Sequence, residues 1–251
     1  GPGPAVESAA VAVEAPLTIE IDGLGVYTIM CTPTDTQALA VGFVFSEGLI
    51  QGREEIDFLQ GCEDDPNVIR MRLAHRDEGR EAGRNLVVLS SCGLCGSKSV
   101  DELLTGLPLV GDELRLAAPD LRKMGLKMRR RQAIYSATGG THAAAIFNEA
   151  GEFVALGEDI GRHNALDKAV GQCLLKDTAT TGLGAILSGR VSLEMVVKAA
   201  RAGLELISAV SAPTSLALSA AKRCNITLCA FVREERATVF THRRRVAEAA
   251  G

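Results

Sequence analysis

Tryptophan is absent from this chain and aromatic residues make up only 4% of it, so its core must be built from Ala, Val, Leu and Ile. Surplus positive charge is also lacking: the formal net charge is -4, which argues against general nucleic-acid binding through a basic surface. No apolar run approaches the ~20 residues of a bilayer-spanning helix, so no membrane association is expected. The opening Gly1-Pro2-Gly3-Pro4 lacks the basic-then-apolar pattern of a secretory signal. Residues 1–12 are expected to be a disordered tail or a cloning remnant. The seven cysteines, at 31, 62, 92, 95, 173, 224 and 229, are odd in number and scattered, which is unlike a disulfide framework and points to a reducing, cytoplasmic compartment. Cys173 and Cys229 read as small core residues. With 47% hydrophobic and 23% charged residues, the composition is that of a globular protein long enough for one large domain or two modest ones.

Local pattern predicts the elements. Residues 17–31 alternate apolar and polar around Gly23 and Gly25, as in a hairpin. A helix is predicted over 36–47, apolar nearly all round and therefore buried, with Gly48 closing it. Strands are predicted at 66–74 and 85–90, separated by a charged loop at 75–84. Ser99 and Glu102 have capping-box spacing for a short helix ended by Gly106 and Pro108. Asp120 is expected to cap a helix over 119–131 that gathers Leu121, Met124 and Met128 on one face. Six of the ten residues at 122–131 are basic. They read as a solvated face, with docking of a partner or of phosphates as the alternative.

From residue 133 the grammar changes. A hairpin is predicted over 141–156 around Glu149-Ala150-Gly151, then a helix over 165–175. Strand 183–188, helix 192–202, strand 205–210, helix 214–223 and strand 226–232 follow, with Ser192 and Thr214 as N-caps and Gly203 and Asn225 as stops. This alternation implies an α/β unit, residues 119–251, with a parallel or mixed sheet covered by helices. An α+β N-terminal subdomain at 13–118 precedes it.

Only Cys92 and Cys95 form a motif, in the glycine-flanked loop Ser91-Cys92-Gly93-Leu94-Cys95-Gly96. A Cys-x-x-Cys serves as half of a zinc site, as a dithiol redox pair or as a persulfide carrier. Structural zinc needs about four protein ligands, and no second pair or His-x-x-x-His completes the set, so no metal site is assigned. A thioredoxin-type pair sits at the start of a long helix, whereas only a short one is predicted after Cys95. Sulfur transfer needs a thiolate that attacks a sulfane donor, and then an exposed persulfide. The helix start at Ser99 and the Lys98 ammonium favour thiolate; Asp101 and Glu102 oppose it. An incidental pair of loop thiols is the plainer alternative. The stretch Gly93 to Ser99 is not a phosphate loop, because Gly96-Ser97-Lys98-Ser99 replaces the required Gly-Lys-Ser/Thr.

Three later segments join tight glycines to polar groups: Thr138-Gly139-Gly140-Thr141-His142, Glu158-Asp159-Ile160-Gly161-Arg162-His163-Asn164 and Ser188-Gly189-Arg190. Each falls at a predicted strand edge or helix start, where backbone amides with Arg162 and Arg190 suit a phosphate or nucleotide. Each also has an ordinary reading: a Gly-Gly turn, a satisfied turn histidine at His142, an ion pair between Arg162 and Asp159.

Taken together the strings resemble the formate dehydrogenase accessory sulfurtransferase (FdhD/NarQ) family over nearly the whole chain. The resemblance rests on Thr32-Pro33, Gly42-Phe43, Ser46-Glu47-Gly48, the two-thiol string 91–96, and the strings at 137–144, 158–168, 188–192 and 211–214. It implies a cytidine-deaminase-like three-layer sheet with a smaller N-terminal subdomain, and a homodimer. It also implies a sulfur carrier that takes sulfane sulfur from a cysteine desulfurase. The acceptor would be a molybdenum (or tungsten) bis-molybdopterin guanine dinucleotide cofactor, held as bound substrate and destined for the formate dehydrogenase catalytic subunit. By motif match Cys92 carries the persulfide and Cys95 assists. Cofactor contacts then fall on Thr138, Gly139, Gly140, Thr141, His142, Arg162, His163, Asn164, Ser188, Gly189 and Arg190. The stretch Phe231, Val232, Arg233, Glu234, Glu235, Arg236 matches one the family uses for the guanine dinucleotide.

Two departures stand out. Phe240 precedes Thr241 where the family commonly has Tyr, so a hydroxyl contact is lost, and the basic lead-in often seen at the N-terminus is missing. Zinc deaminases carry His-x-Glu followed by Pro-Cys-x-x-Cys; here Ala143-Ala144 follows His142 and the thiol pair precedes it, so no catalytic zinc is expected. Two other functions compete: a cofactor-delivery chaperone with dispensable thiols, and a thiol redox regulator.

Overall fold

The structure, a computed structural model, describes residues 8–74, 86–88 and 106–247. The thiol loop with Cys92 and Cys95, the loop at 75–84 and the capping box at Ser99 lie outside the described residues.

β1 Ala15–Ile21 and β2 Gly25–Cys31 form the predicted antiparallel hairpin. β3 Ile56–Gly61 and β4 Val68–Leu73 make a second hairpin, and β4 joins β1 in parallel. β5 Leu86–Val88 lies parallel to β2, completing the order β3-β4-β1-β2-β5. β3 has no counterpart in the sequence reading. It is an edge strand with Asp57, Phe58 and Gln60 exposed, so it lacks the alternation that marks a half-buried strand.

α1 Thr36–Ser46 is buried from Ala38 onward, as its all-round apolar sequence requires. It packs along α4 Arg162–Leu175 and also touches β3 and β4. Glycines set the helix–helix distance. A Cβ on Gly42 would lie 1.8 Å from the Asp167 carbonyl oxygen, and one on Gly171 would lie 1.8 Å from that of Ala38. The N-terminal sheet, α1 and α4 therefore share one apolar cluster with much of the second half.

That half contains β6 Leu116–Ala117, α2 Ala118–Arg129, α3 Ala133–Thr138, β7 His142–Phe147 and β8 Phe153–Asp159. After α4 come β9 Gly184–Leu187, α5 Leu193–Arg201, β10 Leu206–Ala209, α6 Ser215–Arg223, β11 Thr227–Ala230, β12 Thr238–Val239 and β13 Val246–Ala247. The main sheet runs β12-β11-β10-β9-β7-β8, with β9, β10 and β11 parallel and β7, β8 and β12 antiparallel to their neighbours. Its side chains alternate between two cores. Ala143, Ala145 and Phe147 meet Leu121, Met124 and Met128 of α2, while Ala144 and Ile146 join the cluster built with α4, α5 and α6. The expected three-layer α/β arrangement is thus present.

Several boundaries differ from the sequence reading. α2 starts before Asp120, because Pro119 is tolerated in a first helical turn and Ala117 becomes the cap residue. α4 starts at Arg162 rather than 165. Ser192 occupies the N-cap of α5 without a side-chain capping bond, whereas the Thr214 hydroxyl accepts from Ala217 N at 3.3 Å. Near the C-terminus Arg245 is fully buried, with Nε 3.2 Å from both Glu205 Oε2 and Asp112 Oδ1. No described helix is long and apolar enough to cross a membrane.

Candidate functional site

Because β9, β10 and β11 are parallel, their carboxyl ends share one edge of the sheet, the edge where open α/β sheets bind ligands. β7 starts at this edge with His142, and β8 ends there with Asp159. A cavity of about 610 Å³ opens at the edge, a size usual for a small-molecule site. Its sheet side is formed by His142, Ser188, Val210 and Val232. Arg122, Leu126, Met128 and Arg129 from α2 face them, with Gln132 and Tyr135. Gly139, Gly140, Thr141, Ile160, Arg233 and Glu234 complete the wall.

Glu158 fixes that wall. Its buried carboxylate accepts from Ile134 N at 3.1 Å and Tyr135 N at 2.6 Å, the first amides of α3, and from the Thr141 hydroxyl at 2.7 Å. A carboxylate at a helix start satisfies amides that have no partner within the helix. α3 ends at Gly139, whose φ of 70° is a left-handed conformation that glycine adopts without strain. Thr138 stabilises the same turn: its hydroxyl donates to Ile134 O at 2.8 Å and accepts from Gly140 N at 3.1 Å. The hydroxyls of Thr138 and Thr141 thus already serve the fold.

His142 lies at the floor, its Nδ1 3.2 Å from Ser188 Oγ, which in turn accepts from Ala143 N at 2.9 Å. Ser188 Oγ donates to Nδ1 or accepts from it according to the imidazole tautomer. Burial first, then the nearby positive charge of Arg162 and Arg190, hold the imidazole below its ordinary pKa. Gly189 sits where a Cβ would be 3.4 Å from both the Arg162 side chain and His142 Nδ1. The Nε of Arg162 is buried without a hydrogen-bond partner, and Asp159 pairs with Lys168 instead.

His163 and Asn164 of the predicted set turn away from the cavity. Asn164 Nδ2 donates to Met30 O at 2.8 Å and Asp159 Oδ1 at 2.9 Å. His163 is buried with Nε2 3.1 Å from Glu194 Oε2. Lys168 Nζ lies 2.7 Å from Asp159 Oδ2, both side chains fully buried, and donates to Thr32 O at 2.9 Å. Asp167 holds Lys198 Nζ at 2.8 Å and the Ser46 hydroxyl at 2.7 Å. The second glycine segment therefore pins α1 and β2 to α4. Phe231 is 40% exposed, its ring 6.3 Å from that of Phe240. Arg233 Nη1 donates to Val210 O at 2.6 Å and Val232 O at 2.8 Å. Glu235 and Arg236 lie in the exposed turn that follows, outside the cavity wall.

The α2–α3 wall carries functional groups that sequence reasoning passed over, apart from the basic run. Arg122 Nε and Gln132 Nε2 are buried without partners. The Arg129 guanidinium lies 3.3 Å from the centre of the Tyr135 ring. None of the six cations at 122–131 has a carboxylate partner among the described residues. Lys127 instead reaches the Gly151 carbonyl, and Lys127 and Arg131 lie over the Phe153 ring at 5.1 Å and 5.4 Å. Of the described thiols, Cys31, Cys173, Cys224 and Cys229 are buried. Burial pushes Cys31 and Cys173 up to about 11 and Cys229 up to about 12, which makes them poor nucleophiles near neutral pH. Among the described residues no cluster of His, Cys, Asp and Glu could hold a metal ion.

The model of the FdhD/NarQ family matches residues 12–247. The sulfur carrier protein FdhD of Thermoplasma acidophilum is 39% identical over 247 residues, covering 95% of this chain and 87% of its own. That of Anaeromyxobacter dehalogenans is 40% identical over 256 residues, with 94% and 88% covered. A crystal structure described as a formate dehydrogenase accessory protein from Desulfotalea psychrophila superposes with a TM-score of 0.76 at 27% identity, covering 94% of this chain and 90% of that one.

Proposed function

The chain belongs to the FdhD/NarQ family, and on that premise we propose that it carries sulfur for the maturation of a formate dehydrogenase, as a persulfide on Cys92. The Cys92 thiolate attacks the outer sulfur of a persulfide on a cysteine desulfurase. A new S–S bond forms as the donor's breaks, and the electron pair leaves on the donor's thiolate. Delivery as sulfide takes two electrons, which the dithiol supplies. Cys95 attacks the Cys92 sulfur, sulfide departs to the acceptor, and a Cys92–Cys95 disulfide is left for a cellular thiol to reduce.

The observation that carries the reading is a cationic, partly apolar cavity of about 610 Å³ in a chain that also bears the two-thiol string. The wall residues fit one guanine nucleotide arm of a molybdenum or tungsten dinucleotide cofactor, taken as substrate. Arg122, Arg129 and Arg233 supply guanidinium groups for phosphates. Leu126, Met128, Val210 and Val232 supply apolar surface for a base plane. His142 presents its imidazole at the floor.

A strain lacking its own carrier, complemented with this protein, tests the reading through formate dehydrogenase activity and the sulfur content of the enzyme's cofactor. Wild type is expected to restore both and Cys92→Ala neither. Full maturation by the Cys92→Ala, Cys95→Ala double variant would exclude sulfur carriage and leave cofactor delivery as the function.

A further inference from the structure

Residues 122–131 hold six of the chain's 27 lysines and arginines and none of its 31 aspartates and glutamates, in a chain whose net charge is -4. On α2 and its cap these cations form one continuous arc. Arg122 and Arg129 line the cavity, Lys123 and Arg130 are exposed on the outward side, and Leu126, 40% exposed, lies between the two groups. Lys127 extends the arc toward the turn between β7 and β8, where it and Arg131 rest over the Phe153 ring.

The arc works against the helix that carries it. Lys127 stands four residues from Lys123 and three from Arg130, spacings at which like charges repel. A helix dipole favours cations in the last turn, which accounts for Arg129 and Arg130 but not for Lys123 in the N-terminal half. Among the described residues no carboxylate pairs with any of the six. Packing does not need them, because Leu121, Met124 and Met128 anchor α2 in its core. The cavity uses Arg122 and Arg129, whereas Lys123 and Arg130 are not part of its wall. A self-repelling set of exposed cations is relieved when an oppositely charged surface covers it.

The size of the patch and its apolar centre say what kind of surface. The twelve residues of α2 span about 18 Å. Nucleic acid or an anionic bilayer reaches well past that length and meets the negative remainder of the chain. A protein face with carboxylates ringed around an apolar contact for Leu126 matches both the charge and the extent. The inner side of the arc is the cavity wall, so a protein seated on Lys123 and Arg130 stands beside the cavity.

We propose that the outward face of α2, centred on Lys123, Leu126 and Arg130, is the docking surface for a carboxylate-rich face of the protein that receives the cavity's cargo. The inference rests on the reading above, by which that protein is a formate dehydrogenase catalytic subunit. Docking there places the recipient next to the cavity, and the cargo passes over without crossing bulk solvent.

Association of the full chain with a cofactor-free formate dehydrogenase catalytic subunit, followed by biolayer interferometry, tests this. Wild type binds, and its association slows about tenfold between roughly 50 and 300 mM salt. The double reversal Lys123→Glu, Arg130→Glu slows association about tenfold or more at the lower salt, while the charge-conserving Lys123→Arg, Arg130→Lys pair keeps the wild-type rate. Persulfide loading by a cysteine desulfurase is the same in all three chains. No binding by wild type, or a rate that neither salt nor charge reversal moves, overturns the proposal. So does a reversal that removes persulfide loading and spares subunit binding, which would assign the face to the sulfur donor. Binding of phosphatidylserine vesicles or duplex DNA through these two residues, with subunit binding unaltered by the reversal, likewise overturns it. A wild-type chain that binds the subunit as expected yet gains no persulfide refutes the sulfur-carrier reading and leaves the docking surface standing.

Discussion

Gly42 of α1 and Asp167 of α4 bring two helix backbones into contact: a Cβ at position 42 would stand 1.8 Å from the Asp167 carbonyl oxygen and 2.6 Å from its carbon. The obstructing atoms are backbone, so no side chain can swing aside. Gly42→Ala must push α1 off α4, and the expected loss is about 3 kcal/mol or more, read from the urea midpoint. Gly139→Ala is the control. It meets nothing within 4 Å and suffers only from its φ of 70°, which costs about 1 kcal/mol. Equal effects of the two substitutions would contradict the packing.

The ion pair of Asp159 and Lys168 belongs to the same seam. Both side chains are fully buried, and the carboxylate also accepts from Thr32 N at 3.0 Å and Gly161 N at 2.8 Å. Lys168→Met strands a buried carboxylate, with an expected loss of about 3–5 kcal/mol. Adding Asp159→Asn recovers part of it, and a double-mutant cycle measures the coupling. Additive losses would show that the pair does not act as a unit.

Thiol chemistry separates the cysteines. At pH 8, iodoacetamide is expected to leave Cys31, Cys173 and Cys229 unmodified in the native protein and to label Cys92 and Cys95, as peptide mapping would report. The pH dependence has a definite sign. Folded values of about 11 to 12 lie above the unfolded value of 9.0, so the unfolded chain loses these protons first. Stability from these thiols is complete below pH 9 and declines as pH rises toward 12. Rapid native-state labelling of Cys229 would refute the burial.

His142 carries the opposite sign. Its folded pKa is lowered, so the unfolded chain binds the proton first, and stability falls as pH drops below the ordinary 6.5 toward the folded value. Burial is the leading cause and the charges of Arg162 and Arg190 follow. Arg190→Gln, at an exposed position, removes one of these and is expected to raise the imidazole pKa, followed by NMR titration. An unmoved titration would mean that Arg190 has no part in it and that burial and Arg162 account for the lowering.

Much of this arrangement is legible in the sequence, and the exceptions share a cause. The hairpin at Gly23, the buried α1 and the alternation from β9 to β11 follow from periodicity and turn residues, which are local. The string 158–168 is conspicuous too, but its division of labour is not local. Lys168 and Asn164 bond Thr32 and Met30, more than a hundred residues away. Polar residues next to a glycine look like ligand contacts until the start of α4 at Arg162 fixes which way they point. The α2–α3 part of the cavity wall was hidden for the complementary reason. Gln132 and Tyr135 stand in a six-residue helix region with no glycine signal, and Arg122 and Arg129 were visible only as members of a basic run. The turn from α2 into α3 is what brings them opposite Val210 and Val232.

Intact-mass measurement, after incubation with a cysteine desulfurase and L-cysteine, reads sulfur carriage most directly. Wild type is expected to gain about one sulfur atom that a reductant removes, and Cys92→Ala to gain none. A wild-type chain that gains nothing while the desulfurase is active, or a Cys92→Ala chain that gains as much as wild type, would contradict persulfide carriage by Cys92.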